Sequence, residues 1–350
     1  MNFELSEEQR MIQQSVERFV DDNYDLNSRV ALSSKSPGFS TENWHSMAEL
    51  GWLGLPFEEE DGGFGGNQID VLVVMEQFGR GLVLEPYLAS IVMGGGALKR
   101  GGTDALKSEI LPQVIEGTLQ LAFAYAEEQS RFDLDDVMTS ARKEGENFVL
   151  NGQKSMVQNA ETADKIVVSA RTSSGQVSPQ GITLFLIDAD AEGLSRDNFP
   201  TVDGLRASEI TLENVSVGPD RILGEVDQGF SILQSVANDA MLALSAEAVG
   251  AMEVLYKDTV DYTQQREQFD HPLSEFQVLQ HRMVDMFMEY EQCKSLLYRA
   301  TMETIQDPEA AQRTIHALMH LIGKSGMFIG ENAVQLHGGM GMTEELRIGH

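Results

Sequence analysis

The sequence predicts an α+β protein in which an N-terminal helical domain, a middle antiparallel β-barrel or sandwich and a C-terminal helical bundle follow one another. Apolar residues recur at helix spacing in both terminal parts, whereas the middle part has short apolar or alternating runs separated by turn residues. At 350 residues, the chain is longer than one ordinary domain of roughly 150 residues. We therefore expect three domains, over residues 1–118, 119–226 and 227–350.

The N-terminal domain is predicted to begin with a capped helix. Ser6 and Gln9, three residues apart, form the pattern of a capping box, and apolar residues follow them at helix spacing. A block of acids and glycines at 58–66 interrupts the helical pattern, because glycine disfavours a continuous helix. The pattern returns at 69–78 and 86–98, so we predict short helices joined by turns in this domain.

The middle domain is predicted to consist of strands. Its apolar or alternating runs are short, and turn pairs such as Asn151-Gly152 and Ser174-Gly175 separate them. This spacing is typical of a small antiparallel barrel or sandwich, and not of parallel strands joined by helices. The runs lie at 119–125, 148–150, 165–170, 182–187 and 209–212.

Long helical patterns resume in the C-terminal domain after Gly229. They cover residues 230–262, 276–305 and 308–336. Helices of this length that pack side by side form a bundle. The lone cysteine, Cys293, falls within the second pattern, where a small apolar filler is its commoner role.

The charge balance limits the partners of this chain. It has 25 Lys and Arg against 55 Asp and Glu, a formal net charge of −30, which repels nucleic acid and anionic membrane surfaces. No apolar run reaches the roughly 18 residues of a membrane-spanning helix, and the acidic start at residues 1–4 lacks the pattern of a signal peptide. A single cysteine excludes an internal disulfide, which fits a reducing compartment. From the charge, the hydropathy and the cysteine count together, we expect a cytoplasmic protein without nucleic-acid or membrane partners.

Several common site motifs are absent or incomplete in the sequence. The glycines at 62–66 lie between predicted helices, whereas a phosphate-binding loop follows a strand. His316 and His320 have the i, i+4 spacing of a metal pair, but no glutamate base lies between them as required, so we expect no metal site. No Gly-x-Ser-x-Gly sequence follows a strand, which disfavours a serine hydrolase.

Two segments of the C-terminal domain have the composition of a ligand site. In the first, Arg266 can form a bidentate contact with a phosphate, and Gln268 and Phe269 can contact a planar heterocycle. In the second, at 335–342, glycines allow the backbone to approach a ligand, and Gln335 supplies an amide. From the residues alone, a solvated arginine and a glycine helix stop are the commoner interpretations.

Together with the helical, β, helical order, these segments resemble the acyl-CoA dehydrogenase family over essentially the whole chain. Other matching segments are 5–9, 50–56, 61–63 and 150–154. In that family, the Arg-x-x-Phe-Gly and Gln-x-x-Gly-Gly segments of one subunit reach across a dimer interface to the FAD of its neighbour. The resemblance implies FAD binding by Arg266, Gln268, Phe269, Gln277, Gln335, Gly338 and Gly339.

The resemblance implies a flavoprotein that oxidises an acyl-CoA thioester to a trans-2-enoyl-CoA. In the family, hydrogen bonds polarise the thioester carbonyl, a carboxylate removes the α-proton, and the flavin accepts hydride from the β-carbon. The resemblance also implies an electron-transfer flavoprotein as electron acceptor, and a homo- or hetero-oligomer that is a dimer or a dimer of dimers. Within the family, the chain is most similar to bacterial small subunits of the pimeloyl-CoA dehydrogenase type.

The chain departs from the family at two stretches that contact the flavin. The first, Thr-Glu-Pro-x-x-Gly-Ser-Asp, corresponds to 126–133, where only Glu127 and Asp133 are unchanged. The second, Trp-Ile-Thr-Asn, is replaced by 156–159, where a polarizable methionine and a hydrogen-bonding glutamine stand in its place. By position, the candidate flavin contacts are Ala126, Met156 and Gln158.

The catalytic base and one glycine also differ from the family pattern. The family's usual catalytic glutamate lies beyond His350, and a second known position corresponds to Ala240, which leaves neighbouring Asp239 as the candidate base, about 100° around the helix. Asp270 stands where the family has glycine. Three functions stay open: a dehydrogenase subunit whose partner carries the base, a noncatalytic structural partner, and an independent homomeric dehydrogenase.

Overall fold

The computed structural model describes residues 4–350. The first three residues of the acidic start, on which the expectation of no signal peptide rests, lie outside the described residues. Contacts between residues group the chain into two compact units. Among the described residues, one unit is formed by 4–30, 67–83 and 241–350, and the other by 31–66 and 84–240. The predicted domain boundaries near residues 118 and 226 stay a prediction.

The first part of the chain is helical, as predicted. The capping box is present, because Gln9 N donates to Ser6 Oγ at 3.1 Å and Ser6 N donates to Gln9 Oε1 at 3.0 Å. The glycine-rich stretch contains a short 3₁₀ turn, Glu59–Asp61, between α-helices. The α-helices of this part are α1 (Glu7–Asn23), α2 (Leu26–Ser33), α3 (Thr41–Glu49), α4 (Gln68–Gly81), α5 (Gly96–Gly101) and α6 (Asp104–Ile115).

Part of the helix predicted at 86–98 is a π-helix, Tyr87–Gly95, which continues into α5. A Cβ added to Gly94 would lie 2.5 Å from Leu121 Cβ, and one added to Gly95 would lie 2.6 Å from the Phe57 ring. Carbon atoms do not approach so closely without displacing a neighbour. Glycine therefore lets this helix pack directly against Leu121 and Phe57.

The middle of the chain forms an eight-stranded sheet rather than the barrel allowed by the prediction. Neighbouring strands follow the order β6-β7-β3-β2-β4-β5-β8, and β1 pairs with β4, so within residues 4–350 no pairing closes the sheet. The strands are β1 (Leu121–Ala124), β2 (Ser140–Glu144), β3 (Asn147–Gln158), β4 (Lys165–Arg171), β5 (Ile182–Asp188), β6 (Leu194–Pro200), β7 (Arg206–Val217) and β8 (Ile222–Leu223).

Most strand pairs are antiparallel, as predicted, but two pairs that involve β4 are parallel. β1 runs parallel to β4, with Leu121 opposite Lys165, and β2 meets β4 in parallel where Ser140 lies opposite Arg171. Because β1 and most of β4 are buried, they lack the polar and apolar alternation of a strand with one solvent face. A parallel pair also needs a long connection, which the spacing of nearby turn residues does not reveal.

The C-terminal part contains the predicted long helices, α7 (Phe230–Gln265), α8 (Gln277–Gln306) and α9 (Pro308–His337). Between α7 and α8 the chain forms a hairpin that was not predicted, made of β9 (Glu267–Gln268) and β10 (His271–Pro272). Within residues 4–350, none of the helices has both the length and the apolar character required to cross a membrane.

Helices α4 and α7 are in close contact within the first unit. A Cβ added to Gly79 would lie 1.8 Å from the carbonyl oxygen of Glu247, and one added to Gly250 would lie 1.9 Å from that of Glu76. A larger residue at either position would push the two backbones apart. This close crossing places Glu76 in the interior of the unit, at 3% exposure.

Candidate functional site

A cavity of about 760 Å³ opens in the helical unit, where residues of α7, α8 and α9 meet the β9–β10 hairpin. Arg266 follows α7, Gln268 lies in β9, and Gln335 lies near the end of α9. Gly338 and Gly339 follow α9 directly, and all five residues line the cavity. The structure thus brings together five of the seven residues to which the resemblance assigns FAD binding.

Phe269 and Gln277, the other two, are not among the residues that line the cavity. Phe269 is 86% exposed, and its ring meets that of Phe276 edge-on at a centroid distance of 6.3 Å. Phe269 and Asp270 form the two-residue turn of the hairpin, with φ of 57° and 65°. Glycine and asparagine are preferred in such a left-handed turn, so Asp270 has a less favourable backbone conformation there than glycine would.

The turn after α9 presents its backbone to open space. Gly338 has φ 59° and ψ −140°, a conformation accessible mainly to glycine. A Cβ added to Gly338 or Gly339 would meet no atom within 4 Å. The preceding His337 is held by an Nδ1 hydrogen bond with Ala333 O at 2.8 Å and by stacking on Tyr262 at 4.3 Å. The glycine turn therefore lines the cavity next to a histidine whose position is fixed by these two contacts.

The remaining candidate flavin contacts, Ala126, Met156 and Gln158, lie in the sheet unit. Ser155 N donates to Ala126 O at 2.9 Å, which places the 126–133 stretch beside β3. Met156 is exposed and has φ 54°, and Gln158 is the last residue of β3. The two stretches that depart from the family pattern are therefore neighbours in the fold.

Glu127 and Lys154 form a buried ion pair beside these stretches. Lys154 Nζ lies 2.7 Å from Glu127 Oε1 and 3.0 Å from Ser169 Oγ, while Met138 N donates to Glu127 Oε2 at 2.7 Å. Burial alone would raise the pKa of Glu127, but the charge and hydrogen bond of Lys154, together with hydrogen bonds from Gln129 and Thr139, outweigh burial and lower this pKa to about 2. Burial lowers the pKa of Lys154 to about 8, although Glu127 opposes this change.

The two residues of this pair were visible in the sequence only as residues shared with the family. Glu127 belongs to the first departing stretch, and Lys154 ends the matching segment 150–154. Their contact was not predicted, because 27 positions separate them in the chain. The pair connects the 126–133 stretch to β3, and the side chain of Lys154 is fully buried in this contact.

Asp239, the candidate base, forms an ion pair with Arg100. Arg100 Nη1 also donates to the carbonyl oxygen of Gly96 at 3.1 Å. The ion pair connects the third turn of α7 to α5, whereas the hydrogen bond to Gly96 lies within α5. To act as a base, Asp239 would have to approach a substrate while it is held by this arginine.

A second ion pair, between a buried carboxylate and a half-buried lysine, lies in the helical unit and was missed by the sequence analysis. Glu76 Oε1 on α4 lies 3.2 Å from Lys294 Nζ on α8. Lys294 also donates to Tyr290 Oη at 2.9 Å and lies 5.9 Å from the ring centroid of Tyr298. Burial raises the pKa of Glu76 despite this lysine, and burial together with Glu76 raises the pKa of Tyr298 to about 12. The i, i+4 spacing of Tyr290, Lys294 and Tyr298, which places the three side chains on one face of α8, is the sequence signal that could have indicated this cluster.

His316 and His320, the pair considered for a metal, are exposed on α9. Over residues 4–350, no group of three or more His, Cys, Asp or Glu side chains is arranged to hold a metal ion.

Comparison with known proteins gives matches along most of the chain. Models of the acyl-CoA dehydrogenase N-terminal, middle and C-terminal domains match residues 6–118, 122–215 and 227–350. The 3-(aryl)acrylate reductase of Clostridium sporogenes (strain ATCC 15579) is 31% identical over 320 residues, which are 90% of this chain and 84% of that protein.

Solved structures agree with these sequence matches. The structure of PigA with FAD and proline has a TM-score of 0.91 at 28% identity, covering 99% of this chain and 92% of that one. Butyryl-CoA dehydrogenase from Megasphaera elsdenii also has a TM-score of 0.91, at 25% identity, covering 100% of this chain and 92% of that one. The fold is therefore that of an acyl-CoA dehydrogenase, with a middle sheet between helical parts. The chain belongs to the acyl-CoA dehydrogenase family.

Proposed function

We propose that this chain is a FAD-dependent subunit of an acyl-CoA dehydrogenase that oxidises an acyl-CoA thioester to a trans-2-enoyl-CoA together with a second subunit. The observation that carries the proposal is the cavity lined by Arg266, Gln268, Gln335, Gly338 and Gly339. A guanidinium group, amide side chains and an open glycine backbone suit the adenosine diphosphate half of FAD. The donor set therefore fits this part of the cofactor.

FAD, when bound, supplies the acceptor for the hydride that leaves the β-carbon of the thioester. The part of this chain is to hold the cofactor and to exclude water around it. Met156 and Gln158 would offer a polarizable side chain and an amide where the family has tryptophan and threonine.

A second subunit is part of the proposal because the reaction needs a catalytic base. Removal of the α-proton needs a carboxylate near the substrate. Among residues 4–350 the candidate is Asp239, which is paired with Arg100. We therefore propose that the partner subunit carries the base, that this chain is a small subunit of the pimeloyl-CoA dehydrogenase type, and that an electron-transfer flavoprotein accepts the electrons.

A noncatalytic structural partner is the second candidate, because two bulky residues replace small ones in the first flavin-contacting stretch. Arg131 and Phe132 stand where the family has Gly and Ser. Arg131 has φ 49°, and the side chain of Phe132 is 97% exposed. Side chains of this size would reduce the room available to a ligand beside the stretch.

The visible spectrum of the purified chain, alone and with the product of the neighbouring gene as candidate partner, tests the proposal. Acyl-CoA thioesters are then added with an electron acceptor to test for bleaching. A yellow complex that bleaches only with the partner present is the expected result. Yellow colour and bleaching with the chain alone would instead support a homomeric dehydrogenase. A complex whose activity and flavin content do not change on Arg266→Ala would favour the structural partner.

A further inference from the structure

We propose that Arg282 is a second phosphate-binding residue of the cavity, so that Arg266 and Arg282 together select a ligand with a diphosphate group. This inference rests on the proposed function and adds a residue that lies outside the two candidate ligand-binding segments of the sequence, around Arg266 and at 335–342. Arg282 lies in the second turn of α8 and lines the same cavity as Arg266.

The cavity lining is positively charged, whereas the chain as a whole is strongly negative. The chain as a whole has 25 Lys and Arg against 55 Asp and Glu. The lining contains Arg266 and Arg282 and, among the described residues, neither Asp nor Glu. A diphosphate would be repelled by most of the surface of such a chain, and two guanidinium groups in a concave site without carboxylates provide the local attraction that it needs.

Both arginines keep their hydrogen-bond donors available. Over residues 4–350, neither Arg266 nor Arg282 forms an ion pair, whereas Arg80, Arg100 and Arg347 each contact a carboxylate. A guanidinium group has five N–H donors, and charge-assisted bonds to phosphate oxygens are among the strongest in proteins. Two such groups supply enough donors for the oxygens of two phosphates.

Among the described residues, one weak side-chain contact orients Arg282. Its Nη1 lies 3.5 Å from Asn332 Oδ1, at the long limit of a hydrogen bond. Asn332 Nδ2 donates to Phe328 O at 2.8 Å, which fixes the amide with its oxygen towards the arginine. A neutral oxygen at this distance orients the guanidinium without neutralising it, so the positive charge stays available to a ligand.

The test measures binding of adenosine, AMP and ADP to the purified chain, or to its complex with the partner subunit, by titration calorimetry. We expect Arg282→Gln to weaken ADP binding about tenfold to a hundredfold, from the usual contribution of a charged hydrogen bond. Binding of adenosine should not change. Arg313→Gln is the matched control, because Arg313 is exposed on α9, does not line the cavity and has no ion pair among the described residues.

Asn332→Asp gives an independent measurement. A carboxylate at this position would pair with Arg282 and should weaken ADP binding, more at low than at high salt, while Asn332→Leu should have a smaller effect. FAD fluorescence titration of the same variants should give the same order of affinities.

The outcomes separate the two proposals. Normal ADP and FAD binding by Arg282→Gln, with weakened binding by Arg266→Gln, would overturn the role of Arg282 and leave the proposed function intact. A wild-type chain that binds neither FAD nor ADP, alone or with its partner, would overturn both.

Discussion

The ammonium group of Lys154 lies 2.7 Å from Oε1 of Glu127, and the exposed fractions of the two side chains are 0% and 3%. Ser169 Oγ, the backbone nitrogens of Met138 and Thr139 and the side chain of Gln129 are among the hydrogen-bond partners of the pair. Removal of either charged group would leave the other buried without a counter-charge. The packing of the 126–133 stretch against β3 therefore depends on both residues.

Lys154→Met should lower the free energy of unfolding by about 3–5 kcal/mol, because it leaves the Glu127 carboxylate buried and unpaired. Urea unfolding followed by circular dichroism measures this change. Lys143→Met, on the exposed strand β2, should change the free energy of unfolding by less than about 1 kcal/mol. The double variant Glu127→Leu/Lys154→Met should recover part of the loss, and equal effects of Lys154→Met and Lys143→Met would contradict the buried pair.

Acid should destabilise the protein through Glu127. The folded-state pKa of this carboxyl is about 2, below its ordinary value of 4.5, so its contribution is fully present above pH 4.5 and is lost as the pH falls towards 2. The shift corresponds to about 3 kcal/mol. Urea unfolding between pH 5 and pH 3 should show a shallower pH dependence for Glu127→Gln than for wild type. Parallel curves for the two proteins would show that Glu127 does not contribute.

Lys294→Met should also destabilise the protein, by about 3–5 kcal/mol, because it leaves Glu76 buried between α4 and α8 without its cation. The matched control is Arg299→Met on the same helix. Arg299 forms an exposed i, i+4 pair with Glu303, whose loss should cost only about 0.3–0.5 kcal/mol. A double-mutant cycle of Glu76→Leu and Lys294→Met measures the coupling, and additive effects of the two substitutions would argue against it.

Asp270→Gly should stabilise the β9–β10 hairpin. Relief of a left-handed backbone conformation at φ 65° is worth about 1–2 kcal/mol, and the greater freedom of glycine in the unfolded chain removes about 0.4–1 kcal/mol of it. The net gain, about 0.5–1 kcal/mol, is measurable by urea unfolding. Asp270→Ala at the same position should give no such gain, since alanine does not relieve the strain. If alanine and glycine stabilise equally, backbone conformation is not the reason.

Asp239→Asn in the complete enzyme complex should change the rate of thioester oxidation only a few-fold, because Asp239 is engaged by Arg100. Loss of a general base lowers a rate by about 10²–10⁴-fold. Single-turnover flavin bleaching separates the two outcomes. A loss in that larger range, with unchanged flavin content and stability, would identify Asp239 as the base and remove the need for one in the partner.

The helices were predictable because their signals are local. The capping box at Ser6 and the three long apolar patterns of the C-terminal part depend on spacings of three to four residues, which the chain itself contains. The hairpin at 267–272 was missed for a related reason, since its turn residues, Phe269 and Asp270, are not those that favour a left-handed turn.

The sheet was predicted as strands but not as a topology. Buried runs such as Leu121–Ala124 have the composition of a strand, yet their composition does not state which strand they pair with or in which direction. The parallel pairing of β1 with β4 is decided by how the intervening hairpin folds back. That arrangement depends on tertiary packing.

The sequence by itself determined the order of helices and strands, the acidic charge and the segments that resemble the family. Only the tertiary structure decided that Arg266, Arg282 and Gln335 line one cavity, and that Lys154 and Lys294 meet buried carboxylates. The physical reason is distance along the chain. Helix and turn patterns arise between near neighbours, whereas a cavity and a buried ion pair form between residues that are brought together only when the hydrophobic core assembles.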